Sequence, residues 1–204
     1  MMLQLELFDT LLVDSRKRDY LGIPGLVYVQ GLLTNSEQVN ILAEIDKMPW
    51  QNDLKRRVQH YGYKYDYKAR SINKSMYVGA LPPFAVEVAQ KLQAQNLVTE
   101  LPDQLIVNEY QPGQGITSHV DCTSCFKNKI VTVSLGSVYE MDFISLDTGE
   151  ICSTSLELGS ALLMSDEGRY KWTHQIKARK NDHGIPRGRR VSLTYRNIIL
   201  NKEA

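Results

Sequence analysis

Cysteine is scarce, with three in 204 residues. An odd count in a chain this long excludes the disulfide framework that holds small secreted domains together, so reduced thiols are expected. No apolar run is long enough for a membrane span. The start, Met1-Met2-Leu3-Gln4-Leu5-Glu6, has no basic stretch leading into an apolar one. Excess charge is lacking too. Twenty-four Lys+Arg against 23 Asp+Glu leave a formal +1, which excludes a histone-like polycation but says nothing of local patches. Repeats, low-complexity tracts and obvious linkers are absent. What is present suffices for a core: 43 % hydrophobic and 23 % charged residues describe a folding chain rather than a disordered one. The expectation is one soluble domain over residues 1–204, monomeric and free of membranes. A reducing compartment makes it cytoplasmic, with the nucleus open to it in a eukaryote.

The charge is unevenly placed. Residues 51–77 hold Lys55, Arg56, Arg57, Lys64, Lys68, Arg70 and Lys74 against Asp53 and Asp66, together with five of the 11 tyrosines. Residues 169–190 hold Arg169, Lys171, Lys177, Arg179, Lys180, Arg187, Arg189 and Arg190 against Asp182. Fifteen of the 24 cations therefore fall in two short segments. Cations interleaved with aromatics suit a flexible polyanion, since cations meet phosphates while rings stack on unpaired bases. Tyr at every second position (Tyr61, Tyr63, Tyr65, Tyr67) equally fits a half-buried strand. On composition alone the strand reading is slightly favoured.

Thr34 with Glu37 forms a capping-box signature, and the periodicity after it predicts a helix burying Val39, Leu42, Ile45 and Met48. Pro82-Pro83 predicts the start of a second helix through Ala85, Val88, Ala89 and Leu92. From residue 104 the pattern changes to short strands at 104–110, 130–135, 139–145, 151–157, 160–165, 170–177 and 190–200. Gly, Asp and Asn punctuate them. Helices first and regular strands after predict a mainly β (α+β) sandwich or barrel with helices buttressing one face.

Chemistry concentrates in the strand-rich half. His119-Val120-Asp121 at a strand or strand end points both ligating side chains to one side, and His174 follows in Tyr170–Lys177. Two imidazoles and a carboxylate form a facial set that leaves open positions on an octahedral iron. A lone H-x-D with a distant histidine is common by chance, and His60 and His183 read as surface or loop histidines. Arg190 sharpens the case by opening a strand whose alternation puts Arg190, Ser192, Thr194 and Arg196 on one face. Buried arginines need anionic partners, and a planar guanidinium fits a dicarboxylate.

Asn108-Glu109-Tyr110-Gln111-Pro112-Gly113, His119-Val120-Asp121, Val133-Ser134-Leu135-Gly136, Arg169-Tyr170-Lys171-Trp172-Thr173-His174 and Arg190–Arg196 resemble the AlkB family. Its members are Fe(II)- and 2-oxoglutarate-dependent dioxygenases on a double-stranded β-helix. The resemblance runs in order over roughly residues 20–200. Arg56–Tyr63, Pro102–Leu105 and Gln111–Ile116 are similar, in particular, to members that hydroxylate wobble uridines in tRNA. The resemblance implies a jelly-roll core with buttressing N-terminal helices. It makes His119, Asp121 and His174 the catalytic iron ligands and pairs Arg190 with the distal carboxylate of 2-oxoglutarate. Asn108, Tyr110 and Arg196 would help hold that co-substrate, and Ser192 stands where the family uses a polar residue. Residues 55–77 match a nucleotide-recognition lid, with Arg56, Arg57, Tyr61, Tyr63 and Lys64 as nucleic-acid contacts.

The implied reaction consumes 2-oxoglutarate and O₂, gives succinate and CO₂, and oxidises a C–H bond of a modified base in nucleic acid, RNA or tRNA foremost. A base reaching the metal must be single-stranded or flipped. Oxidative demethylation of N-alkylated bases in RNA or DNA, oxidation of a protein or small molecule, and a binding module without turnover are the alternatives. The 204 residues hold no RNA-binding domain, methyltransferase or cysteine-rich tail of the wobble-uridine homologue. Repair members place a second acid two residues after the ligand aspartate, where Thr123 stands. Cys122 and Cys125 form a C-x-x-C read as reduced loop thiols, because no second pair exists to close a zinc site. Cys152 reads as an ordinary strand residue.

Overall fold

Thr34 and Glu37 cap the first helix reciprocally: the Glu37 amide donates to Thr34 Oγ1 and the Thr34 amide donates to Glu37 Oε2. The same carboxylate pairs with Lys91 of the second helix at 2.6 Å. Lys91 and the Thr34 amide hold its pKa down to about 2. The structure, a computed structural model, describes residues 16–52 and 55–200; Asp53 and both ends of the expected 1–204 span lie outside them. The helices are α1 (Asn35–Lys47), α2 (Pro83–Ala94) and the short α3 (Asp166–Tyr170).

The strands are β1 (Arg16–Arg18), β2 (Leu26–Val29), β3 (Val58–Tyr63), β4 (Tyr77–Gly79), β5 (Gln104–Tyr110), β6 (Ile116–His119) and β7 (Phe126–Leu135). Then follow β8 (Tyr139–Ser145), β9 (Ile151–Leu156), β10 (Ala161–Met164), β11 (Trp172–Ile176), β12 (Asn181–Asp182), β13 (Ile185–Pro186) and β14 (Arg190–Ile198). A large sheet runs β1-β2-β10-β7-β14-β5-β3-β4 and a small one β6-β11-β8-β9. From β5 onward the chain passes back and forth between the two sheets, which is the topology of a double-stranded β-helix.

Alternation along the large sheet builds two cores. Val191, Leu193 and Tyr195 of β14, Val131 and Val133 of β7, and Leu105 and Val107 of β5 pack with Ile45 of α1 and Val88 and Leu92 of α2. The buried Tyr195 hydroxyl donates to the Ala85 carbonyl at 3.1 Å, tying β14 to α2. The opposite faces meet the small sheet in a second core that includes Tyr28, Phe126, Tyr139 and Phe143. β14 is buried along its whole length, as a strand covered on both faces must be.

Three details differ from the sequence reading. The buried stripe of α1 runs through Gln38, Ile41 and Ile45, while Val39 and Met48 are exposed. Gln38 turns inward because its amide donates to the Leu33 carbonyl. The N-terminal half is not helical alone, since β1 to β4 extend both edges of the large sheet. His60 is buried within β3 rather than on the surface. His183 lies exposed between β12 and β13 and pairs with Glu140. No helix among the described residues is long and apolar enough to cross a membrane.

Gly62 sets the course of the tyrosine segment. Its φ is +74°, and a Cβ there would lie 1.9 Å from the Asp103 carbonyl oxygen. The β3–β4 register shifts at this point, the mark of a bulge. Tyr61 packs on the helix side, whereas Tyr63, Tyr65 and Tyr67 join the core between the sheets.

Candidate metal centre and substrate cavity

The small sheet positions the first two ligand candidates. His119 ends β6 and His174 stands directly opposite it in β11, with ring centroids 4.3 Å apart. Asp121 lies two residues beyond the strand end, its Oδ1 3.5 Å from His119 Nε2. Their ligand atoms all lie within 4.8 Å of one another. His119 Nδ1 is 2.8 Å from the Thr117 carbonyl oxygen. A carbonyl only accepts, so Nδ1 carries a proton, and Nε2 is the ring atom turned toward Asp121.

Burial, reinforced by neighbouring His119, lowers the His174 pKa to about 3, so the ring is neutral. Burial opposes ionisation of Asp121, but the Arg196 guanidinium, 3.3 Å away, and His119 outweigh it and hold the carboxyl below the ordinary carboxylate range. Two imidazoles and one carboxylate are the donor set that fits Fe(II) with open positions.

The ligand loop is pinned from behind. Arg169 of α3 is buried and donates from Nη1 to the Asp121 carbonyl at 2.9 Å and from Nη2 to the Cys122 carbonyl at 3.0 Å. Cys122 and Cys125 are joined by a disulfide, which corrects the expectation of reduced loop thiols. The C-x-x-C spacing brings the two thiols within reach of one another, whereas the odd overall count speaks only against a framework of several disulfides. Cys152 is the free cysteine, half-buried in β9.

Arg190 is 1 % exposed. Its Nη2 donates to Ser134 Oγ at 3.0 Å, and its guanidinium lies 5.3 Å from the Tyr110 ring centroid. Its Nε has no partner, and burial pushes its pKa down. Among the described residues no carboxylate pairs with it. A buried cation in that condition fits an oxyanion brought by a ligand, which is what the distal carboxylate of 2-oxoglutarate provides.

The cavity beside it measures about 310 Å³ and is lined by the ligand triad, Asn108, Tyr110, Ser192, Thr194 and Arg196. The expected alternation of β14 therefore places its polar face on the site. Arg196 is already engaged by Asp121, and Asn108 Oδ1 accepts from Arg56 Nε at 2.9 Å.

The five expected nucleic-acid contacts separate. Arg56 lines the cavity. Arg57 is held by Glu109 at 2.6 and 2.8 Å and lies over Trp50. Tyr61 donates to Gln59 Oε1 and packs edge-on against Phe84. Tyr63 packs on Tyr77, and Lys64 lies beside Gln51. In their place Tyr65, Tyr67 and Arg70 line the cavity, a consequence of the Gly62 bulge. The second basic segment is largely turned inward: Arg187 is buried on Asp182, and Arg189 bridges Asp46 and Glu109.

The 2OG-Fe(II) oxygenase superfamily model matches residues 25–196. The chain is 39 % identical over 164 residues to the tRNA (carboxymethyluridine(34)-5-O)-methyltransferase alkbh8 of Xenopus tropicalis, covering 78 % of this chain and 26 % of that protein. The chain thus spans about a quarter of that relative. It is 34 % identical over 214 residues to the alkylated DNA repair protein ALKBH8 homolog of Arabidopsis thaliana, covering 92 % and 61 %. The DNA N6-methyl adenine demethylase of Caenorhabditis elegans is 30 % identical over 180 residues, covering 85 % and 60 %. The solved structure of OsALKBH1 shares the fold, with a TM-score of 0.64 at 21 % identity over 85 % of this chain and 97 % of that one. Fe(II), 2-oxoglutarate and O₂ together supply the oxidation of an unactivated C–H bond. The chain belongs to the 2OG-Fe(II) oxygenase superfamily, as an AlkB-like, 2-oxoglutarate-dependent dioxygenase.

Proposed function

We propose that this dioxygenase acts on nucleic acid and that its preferred substrate is a side-chain-modified uridine in a tRNA anticodon loop. The observation that carries this reading is the charge of the cavity: Asp121 is the one carboxylate among the described residues that line it. Where repair members of the family set an acid, this chain has Thr123, exposed and neutral. A cationic ring such as 1-methyladenine lacks a charge-matched partner there, whereas a neutral uridine loses nothing. The name of the Xenopus relative, which specifies carboxymethyluridine at position 34 of tRNA, agrees with this reading.

The remaining walls support a base. Tyr65 packs 5.3 Å from Phe126 and 4.9 Å from Tyr67, aromatic surface on which an unpaired base stacks. The chain's own residues hold the target C–H beside His119, Asp121 and His174, anchor 2-oxoglutarate through Arg190, and keep water from the buried side of the site. A groove lined by Lys55, Gln114 and Lys177 shares Arg56, Ile116 and Thr117 with the cavity. It brings the two basic segments together and is the proposed path of the flanking strand.

Mass spectrometry of digested oligonucleotides after incubation with Fe(II) and 2-oxoglutarate tests the proposal. Better hydroxylation of the modified uridine than demethylation of 1-methyladenine or 3-methylcytosine supports it. Formaldehyde release from 1-methyladenine in excess of uridine hydroxylation makes the protein a demethylase instead.

A further inference from the structure

The cavity has two corners of different chemistry. At one, Arg56 lines the wall and the buried Arg190 adjoins it through Tyr110, the two guanidiniums lying 5.5 and 5.3 Å from the Tyr110 ring centroid, and their cations suit the co-substrate. At the other, Tyr65 packs with Tyr67 and Phe126, and Arg70 lies beside the Tyr65 hydroxyl. Arg70 is the cation of this second corner.

The backbone turn that carries it is fixed by several contacts. Paired backbone hydrogen bonds between Asp66 and Ser71, at 3.2 and 3.3 Å, close the turn that carries it. Asp66 Oδ1 accepts from the Lys68 and Ala69 amides inside that turn. Arg70 itself has φ +50°, a left-handed backbone that a long side chain adopts at a cost and keeps only where its surroundings fix it. Its carbonyl oxygen lies 3.3 Å from Cys125 Sγ and 3.6 Å from Cys122 Sγ. The turn is therefore seated on the loop that carries Asp121.

Among the described residues no carboxylate forms an ion pair with Arg70, and Asp121, the cavity's acid, is engaged by Arg196. Arg70 is exposed at the mouth of the cavity it lines, and a guanidinium placed there without a carboxylate of its own can receive an oxyanion from a ligand.

We propose that Arg70 is the specificity-determining residue of this site, binding an oxyanion of the substrate nucleotide. That oxyanion is either a carboxylate on the modified base or the phosphate beside it. The proposal rests on the nucleic-acid reading above. It adds that the enzyme selects for negative charge at the aromatic corner, rather than merely lacking an acid there.

The test uses the full chain, Fe(II), 2-oxoglutarate and three forms of one anticodon-loop oligonucleotide. One carries carboxymethyluridine, one its methyl ester, and one a neutral methylphosphonate at the linkage flanking that uridine. The readout is KM and kcat for oxidised nucleoside. The parent is expected to favour the form with the recognised charge by about tenfold or more in KM, the usual scale for a charge-assisted hydrogen bond. Arg70→Gln keeps a Cβ at the strained position, so it leaves the turn as it is. It should collapse that preference to about one, chiefly through KM, and Arg70→Lys should restore part of it. Collapse of the acid-to-ester ratio assigns Arg70 to the base carboxylate, and collapse of the phosphate-to-methylphosphonate ratio assigns it to the backbone. Retention of both ratios in Arg70→Gln overturns the role of Arg70 and leaves the nucleic-acid reading standing. If the parent oxidises none of the three, both fall together.

Discussion

Asp121 and Arg196 form an ion pair at 3.3 Å with both side chains 9 % exposed, directly beside the two histidines of the candidate metal site. The pair ties β14 to the loop after β6, so the last strand of the fold sets the charge of the ligand. It also means that the three candidate ligands are not equivalent for stability.

Removing any of the three ligands should abolish Fe(II) binding and succinate formation, because a facial set of two donors is incomplete. Stability separates them. Asp121→Ala strands the Arg196 charge in the interior and should cost the metal-free protein about 3 kcal/mol. His174→Ala breaks no ion pair of this kind and should cost less. Urea denaturation of the metal-free variants, alongside metal content, checks both parts. Equal losses for the two variants would mean that Arg196 draws nothing from Asp121.

Arg190 should trade stability for binding. Its guanidinium is buried without a carboxylate, so Arg190→Met should leave the ligand-free fold as stable as the parent or raise it by about 1 kcal/mol. The same change should remove the thermal stabilisation that 2-oxoglutarate gives the parent. Arg190→Lys should recover only part, since a point charge lacks the fork geometry. Melting curves with and without 2-oxoglutarate decide it, and an unchanged ligand-induced shift in Arg190→Met would remove Arg190 from the co-substrate site.

Neighbouring arginines should behave differently. Arg56 lines the cavity, so Arg56→Ala should weaken binding of single-stranded RNA and reduce the slope of log affinity against log salt by about 0.7. Arg57 is committed to Glu109 and Trp50. Arg57→Ala should leave that slope alone and cost about 0.5–1 kcal/mol of stability. Fluorescence anisotropy across a salt series separates them, and identical slopes for both variants would place the two side chains in the same environment.

Much of this was legible in the residues. The capping box at Thr34 and Glu37, the β14 alternation that turns Arg190, Ser192, Thr194 and Arg196 inward, and the H-x-D with its distant histidine all hold in three dimensions. These signals are local and periodic. What was hidden is non-local. That Glu109 and Asp46 claim Arg57 and Arg189 depends on strands and helices far apart in sequence. Arg169 reads as one more cation of a basic segment until α3 is seen tucked behind the Asp121 loop. The α1 stripe shifts because Gln38 finds a backbone partner inside, which hydropathy cannot anticipate. The tyrosine alternation misleads at one residue, Gly62, whose bulge reverses the faces that follow.

That bulge is itself testable. Gly62→Ala must relieve both a left-handed φ and a Cβ 1.9 Å from the Asp103 oxygen. It should destabilise the fold by about 2–4 kcal/mol and, in the folded fraction, raise KM for nucleic acid more than for 2-oxoglutarate, because Tyr65, Tyr67 and Arg70 follow it. A variant with parent stability and parent KM values would show that the bulge does not set the aromatic corner.

The most direct test of the account follows succinate and oxidised nucleoside together in one reaction. The protein is incubated with Fe(II), 2-oxoglutarate and an anticodon-loop oligonucleotide bearing a side-chain-modified uridine, then compared with Asp121→Ala. Equal amounts of succinate and hydroxylated uridine are expected from the parent and neither from the variant. Hydroxylated uridine formed by Asp121→Ala at the parent rate would contradict it.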